Sequence, residues 1–378
     1  MALLAASALL LIGLWIRWPS VTYDGPATQE AYNEFAFDQF AYSDIASLYY
    51  RDDLTEKPIP YFDYPLEYPV STGVFIYFLS LVTNSPAQYF LLSTLALAVC
   101  AVWVAVLVGR FPRGKLLFFA LSPALALYVN LNWDMWGVLL MVVALYLFTL
   151  ERDGWAGVTF AAATWTKFFP IVFFPFLLME AQRRGGRRAA IRFAGTFALA
   201  SAAINLPVAL LAPEGWWHFF SFNAAREEDL NPWVLFLGLE PRDVDSMNAL
   251  GMATLAAGVT WLLFIQRRTG PQAWPYACAA ALALFFFVGK IYSPQYGLWV
   301  MAILAAVGVS NALAVAWSAT DLLYFFASFV VLGLSQFGAA QGWFYEHAVV
   351  PADYLREGML LVVIGWCIGQ MRASAPEP

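Results

Sequence analysis

The sequence predicts an all-α polytopic membrane protein, a single transmembrane domain over 1–378 with about twelve crossings. Three observations carry that prediction. Of 378 residues, 61% are hydrophobic and only 12% charged, against about 25% charged in a soluble domain, so the chain lacks the charge to wet its own surface. Apolar runs of roughly 16–24 residues recur throughout, each long enough to cross a hydrocarbon core of about 30 Å. Basic residues gather between those runs: Arg110, Arg113 and Lys115; the run RRGGRR at 183–188; Arg267 and Arg268; and Arg372.

Residues 2–17 read as a first crossing. They are apolar, and Arg17-Trp18-Pro19 follows them in place of the small-x-small site of a cleaved leader. A long insert, 18–86, comes next, with ten Asp or Glu against only Arg51 and Lys57. Short loops rich in Lys and Arg stay in the cytoplasm, which assigns this acidic insert to the outer side. Inside it, Ser43 caps a short helix whose apolar face carries Ile45, Leu48 and Tyr49. The apolar segment 69–83 is too short to cross and reads as an interfacial or re-entrant helix, since a full crossing would put RRGGRR outside. Crossings follow at about 87–109, 115–132, 135–150, 155–168, 169–182, 190–211, 247–266, 273–290, 296–310, 312–334 and 356–371, leaving both termini inside. The stretch Lys167-Phe168-Phe169-Pro170 is a turn at the outer surface, because Pro170 lacks an N–H and favours a helix start. Segments 213–246 and 335–355 read as further outer loops.

Under this layout the polar groups that interrupt the apolar pattern fall on one side. They are Asp134 in NLNWD, Lys167 in TWTKFFP, Lys290 in GKIYSPQY and His347 in WFYEHAVVP. Polar groups at membrane depth are costly and mark function, so their convergence predicts one site at the outer interface, beneath the insert. Asp44, at the start of the insert helix and beside its apolar face, is a candidate general base for a hydroxyl nucleophile; the plainer role is a helix cap. Asp24 and Asp38 are rivals in the same insert, and Asp52 and Asp53 read as a solvated face. Asp63, Tyr64, Glu67 and Tyr68 belong to PYFDYPLEYP, where prolines hold an extended backbone and tyrosines offer flat, polar-tipped faces to a sugar or to an interfacial belt.

Lys167 and Lys290 are isolated cations at helix ends. Each suits a phosphate that leaves with a lipid, or else snorkels to water. Ser293-Pro294 breaks the backbone, and Ser293, Gln295 and Tyr296 would line a cavity there. Asp134 either faces substrate or caps its helix. His347 is a proton carrier, a phosphate partner or plain surface. His218 in WWHFFSF reads as an interfacial anchor, and Asp321, inside a helix, needs a partner. Cys100, Cys278 and Cys367 lie in apolar runs without metal-ligand spacing and read as packing residues. No zinc signature, Gly-rich phosphate loop or basic nucleic-acid patch is present in the sequence, and neither a metal nor another cofactor is expected.

Five motifs occur in order along the chain: YSDIASLYY (42–50), PYFDYPLEYP (60–69), NLNWD (130–134), AGVTFAAATWTKFFP (156–170) and KIYSPQYGLW (290–299). Together they resemble the C-type membrane glycosyltransferases that use polyprenyl-phosphate sugars, in particular glycosyltransferase family 87. The resemblance implies an active site on the outer face of a bacterial inner membrane, serving the cell envelope. It implies Asp44 as general base, a sugar donor on a polyprenyl phosphate with mannose as the frequent sugar, and inversion at the transferred carbon. The acceptor would be a hydroxyl of a lipid or glycan. Where the lipomannan-type mannosyltransferases of the family carry a histidine-containing stretch, this chain has SPQYGLW, which leaves Lys290, Gln295, Tyr296 or His347 for the phosphate-facing role. The competing class is a transporter or lipid flippase for a polyprenyl- or glycolipid. Such proteins usually show internal repeats with binding groups near the midplane, whereas here the polar groups gather at one face. A third class is a non-catalytic assembly subunit.

Overall fold

The computed structural model describes residues 1–227, 243–334 and 338–374. Among these the chain is helical, with an isolated bridge between Pro60 and Tyr64. The helices are α1 (Ala2–Ile16), α2 (Trp18–Thr22), α3 (Gln29–Asp38), α4 (Asp44–Arg51), α5 (Val70–Leu81), α6 (Pro86–Val108), α7 (Leu116–Ala120), α8 (Ala124–Tyr128) and α9 (Asp134–Thr149). They continue as α10 (Asp153–Lys167), α11 (Phe174–Leu211), α12 (Pro213–Ala225), α13 (Val244–Arg268), α14 (Trp274–Val288), α15 (Gly297–Val307), α16 (Asn311–Gly333), α17 (Gly338–Phe344) and α18 (Val350–Ala373). Among the described residues, five helical segments are long and apolar enough to cross a membrane, Pro86–Val108, Phe169–Leu211, Val244–Arg268, Pro271–Val288 and Asn311–Gly333. The protein is a multi-pass membrane protein.

Local chemistry sets several boundaries. Ser43, Ser85 and Ser310 cap α4, α6 and α16 through their hydroxyl oxygens, each relieving an N–H that the helix leaves unpaired. Gly308, at φ 81°, closes α15 in the left-handed conformation. The α5 helix has 12 residues, about 18 Å at 1.5 Å per residue, well short of a hydrocarbon core. Its C-terminal carbonyls are gathered by the Lys57 ammonium, which donates to Ser80 O at 3.1 Å, Leu81 O at 3.1 Å and Thr83 O at 2.8 Å.

Three sequence expectations are corrected, and a fourth is refined. The run 115–132 is not one helix. It is α7 and α8, separated at Ser122-Pro123, because proline removes the backbone donor that would continue the ladder. The expected helices 169–182 and 190–211 are present as the two arms of α11, which meet where the backbone turns at Gly186 (φ 62°, ψ −161°). Segment 213–246 is helical over α12, and α13 begins at Val244; the rest of it, 228–242, lies outside the described residues. Segment 335–355 carries α17, a π turn at Tyr345–Val349 and the start of α18, with 335–337 outside the described residues.

The basic turns meet one another. Arg113 donates to Tyr276 Oη at 2.6 Å and to Gln272 Oε1 at 2.9 Å. Arg183 donates to the carbonyls of Gln266 and Thr269, and Arg184 pairs with Asp153. Lys115 N–H bonds Ala305 O, and Gly270 N–H bonds Ser374 O. From this end α9 and α10 run, each about 23 Å long, to an end where Arg17, Asp44, Asn132 and Lys167 gather.

Candidate functional site

Asp44 is placed by its own helix start. The Ser43 hydroxyl accepts from Ile45 N–H at 3.2 Å and donates to Asn130 O at 2.7 Å, while Asp44 N–H donates to Leu131 O at 2.8 Å. The first turn of α4 is thereby laid against the NLNWD segment. Arg17 locks the same junction from behind. Fully buried, it donates to Tyr42 O at 3.1 Å, to Asn130 Oδ1 at 3.0 Å and to Leu127 O.

Each oxygen of Asp44 accepts one hydrogen bond. Oδ1 accepts from Tyr42 Oη at 2.8 Å, and Oδ2 accepts from Asn132 Nδ2 at 2.6 Å. The same amide donates to Tyr68 Oη at 2.9 Å, and Asn132 Oδ1 accepts from Trp133 N–H at 2.6 Å, so the orientation of Asn132 is fixed from both ends. Burial pushes the Asp44 carboxyl above its ordinary value, against the pull of the Asn132 and Tyr42 hydrogen bonds and of the Lys167 ammonium. A carboxylate in that balance is more basic than a solvated one and still has lone pairs to offer.

Asp134 does not cap its helix. Trp133 holds the cap position without a side-chain bond. The carboxylate turns inward, accepts from Trp299 Nε1 at 2.7 Å and lies 3.3 Å from Lys167 Nζ. Trp299 comes this near because position 137 is glycine, where a β-carbon would sit 2.5 Å from the indole. Lys167 in turn stands 4.6 Å from the Tyr68 ring centroid and 5.8 Å from that of Tyr296. Thr72 Oγ1 donates to Thr166 O at 2.8 Å and fixes the end of α10 beside it.

These groups border a cavity of about 1070 Å³. Of the residues singled out in the sequence, Asp44, Glu67, Tyr68, Lys167, Ser293, Gln295 and Tyr296 line it, with Asp134 buried behind Lys167. Glu67 is held by Arg51 through two bonds, 2.6 and 2.9 Å, and the same guanidinium holds Asp52. Asp52 is therefore paired, not a freely solvated charge as expected. Asp63, Tyr64, Lys290 and His347 do not line the cavity. Asp63 is exposed and accepts from Ile59 N–H at 2.7 Å. Tyr64 packs against the core with its hydroxyl buried. His347 stacks on Trp343 and bonds its carbonyl at 2.8 Å. Lys290 donates to Ala224 O at 2.9 Å, at the C-terminal end of α12, where Asn248 Nδ2 donates as well. Asp24 and Asp38 are exposed and off the cavity. Asp321 is buried with its carboxylate against Gly297, and its own carbonyl accepts from Tyr128 Oη at 3.2 Å.

Sequence reasoning missed Tyr42, Asn132, Trp299 and Arg226. Asn132 and Trp299 sit inside the NLNWD and KIYSPQYGLW motifs, where other residues drew the functional reading. Arg226 lines the cavity just past α12, in a stretch with no periodic signal. Arg356 was also missed. It is buried between the rings of Tyr292 and Tyr324, 4.1 and 4.4 Å from their centroids, and paired with Asp353 and Glu357, which steadies the cavity wall at Tyr292-Ser293.

The model of glycosyltransferase family 87 matches residues 66–335. The chain belongs to glycosyltransferase family 87. Among solved structures, the crystal structure of ArnT from Cupriavidus metallidurans bound to undecaprenyl phosphate is similar. The TM-score is 0.50 and the identity 14%, over 98% of this chain and 77% of that one. At that identity the likeness speaks for the fold, that of the C-type glycosyltransferases. No curated protein sequence matches the chain. Lys167, Ser293, Gln295 and Tyr296 of this family 87 chain fall within the matched span; Asp44 precedes it.

Proposed function

We propose that the protein transfers a sugar from a polyprenyl-phosphate-linked donor to a hydroxyl of a lipid or glycan acceptor. Asp44 is the general base. The observation that carries this reading is one carboxylate, raised in basicity by burial, on the wall of a cavity that also presents the Lys167 ammonium and the Arg226 guanidinium. The acceptor O–H gives its proton to Asp44 as the oxygen bonds the anomeric carbon. The bond from that carbon to the phosphate oxygen breaks on the opposite face, so the configuration inverts. The electron pair leaves with the polyprenyl phosphate, and Lys167 and Arg226 meet the added negative charge. With two cations for that task, the reaction needs no divalent metal. Tyr68, Gln295 and Tyr296 border the sugar, for which mannose is the first candidate. Phe219, Phe222 and Phe285 offer apolar wall to the prenyl tail.

The proposal includes the layout: twelve crossings in a bacterial inner membrane, with the cavity at the outer face. It is supported by the association of the basic turns at one end and by their distance from the cavity along α9 and α10. A flippase would need a path between leaflets, and the buried Asp134–Lys167–Trp299 contact beside the cavity speaks against one there.

The test is incubation of the purified protein with a panel of polyprenyl-phosphate sugars and extracted lipids, read by mass spectrometry. Asp44→Asn should cut transfer by about 10²–10⁴-fold and leave donor binding in place. Transfer at the wild-type rate in that variant would remove Asp44 as base.

A further inference from the structure

A second cavity, of about 720 Å³, lies far from the first, at the end where the basic turns meet. Three helical stretches build it. Gly186 reverses α11 into a hairpin, whose descending arm supplies Leu178 and Met179 and whose returning arm supplies Ile191 and Ala194; α13 closes the third side with Leu263 and Phe264. The walls are apolar and turned outward, with Ile191 58% and Phe264 51% exposed. On a membrane protein that surface faces acyl chains.

Arg187 and Arg267 stand on the rim of this groove. Their neighbours are committed elsewhere. Arg183 donates to helix-terminal carbonyls, Arg184 pairs with Asp153, and Arg268 lies over the Phe264 ring at 3.9 Å. Among the described residues, neither the Arg187 nor the Arg267 side chain has a hydrogen bond or an ion pair. Two exposed guanidiniums above an apolar trough match one kind of molecule: a phosphate-bearing head joined to hydrocarbon tails. An arginine fork suits phosphate oxygens better than a point charge does, and basic pockets between membrane helices select anionic head groups in this way.

We propose that the groove between the α11 hairpin and α13 binds an anionic phospholipid, its phosphate between Arg187 and Arg267 and its chains along the groove walls. The site is separate from the sugar-transfer cavity and does not depend on that reading.

The test uses full-length protein in nanodiscs of equal phosphatidylglycerol and phosphatidylcholine, with lipids retained after release measured by native mass spectrometry. Wild type should retain phosphatidylglycerol preferentially. Arg187→Gln with Arg267→Gln should weaken that retention about 30-fold, at about fivefold per arginine near a membrane surface. Ala194→Trp, which fills the groove and leaves both arginines, should also lose it. Arg110→Gln with Arg372→Gln removes equal charge from the same end, off the groove, and should change nothing. Equal loss in that control, unchanged retention in both groove variants, or displacement of the lipid by inorganic phosphate alone would each overturn the proposal.

Discussion

On the Asp44 carboxyl, burial works against hydrogen bonding, and burial wins. A base must be ionised to work, so the rate should fall as pH drops through the Asp44 pKa, on a limb above the ordinary value near 3.9. Tyr42→Phe removes a donor that favours the ionised form. It should move the limb of kcat/KM to higher pH, and a pH–rate profile of both proteins checks this. The sign for stability is opposite. A carboxyl whose folded pKa is raised holds its proton more tightly in the folded state, so its contribution is full below the unfolded pKa and lost as pH rises through the folded one. Asp44→Asn, which cannot ionise, should therefore not lower the melting temperature at neutral pH. The Asp134–Lys167 pair behaves otherwise. Asp134→Asn leaves a buried ammonium without its counter-charge and should cost about 3 kcal/mol, with part of it recovered when Lys167→Met is added; thermal melts of the single and double variants measure it. Lys167 was legible because a lone charge in an apolar run is conspicuous, and Asp44 stood out from nine other carboxylates of the insert because it opens a helix with an apolar face. The role of Asp134 was not, since an aspartate before an apolar run looks like a cap unless its partner 33 positions on is seen. Lys290 shows the same limit: two cations at helix ends read alike, and only the packing of α12 turns this one onto a carbonyl.

Helices were legible where length and hydropathy agree, as in α6 and α16, and less so where the backbone is broken by single residues. Pro123 could have been read as the break between α7 and α8, but the apolar run hides it. RRGGRR marks a turn by charge, yet which glycine bends is a matter of dihedral angles. Gly186 holds a combination that side chains essentially exclude. Gly186→Ala should lower stability by about 1–3 kcal/mol although a β-carbon there would touch nothing within 4 Å, which separates backbone strain from a clash; denaturation in detergent reports it. The stretches 213–225 and 338–355 read as loops because aromatic and polar residues alternate there without a stripe. In α12 the helix is held by contacts that no local pattern records: Trp216 Nε1 donates to Asn205 Oδ1 near its start, and Lys290 and Asn248 donate to the Ala224 carbonyl at its end.

Across the whole molecule, the charge pattern was the most informative part of the sequence, because turns rich in arginine must share a side if the helices between them cross. Cys100, Cys278 and Cys367 are buried, so a single introduced cysteine can report sidedness against a quiet background. Asp53→Cys should react with an impermeant maleimide in intact spheroplasts, and Arg188→Cys only after the membrane is opened. Reaction of both from one side would invert or break the layout. The Arg17 junction has one more consequence, in time rather than in space. Its guanidinium leaves the ribosome 109 to 113 residues ahead of the Ala126 carbonyl and the Asn130 amide that receive it. Until α8 and the segment after it are synthesised, the Arg17 charge at the end of α1 lacks the partners that hold it at membrane depth. That makes Arg17 a latch between stretches of chain made more than a hundred residues apart.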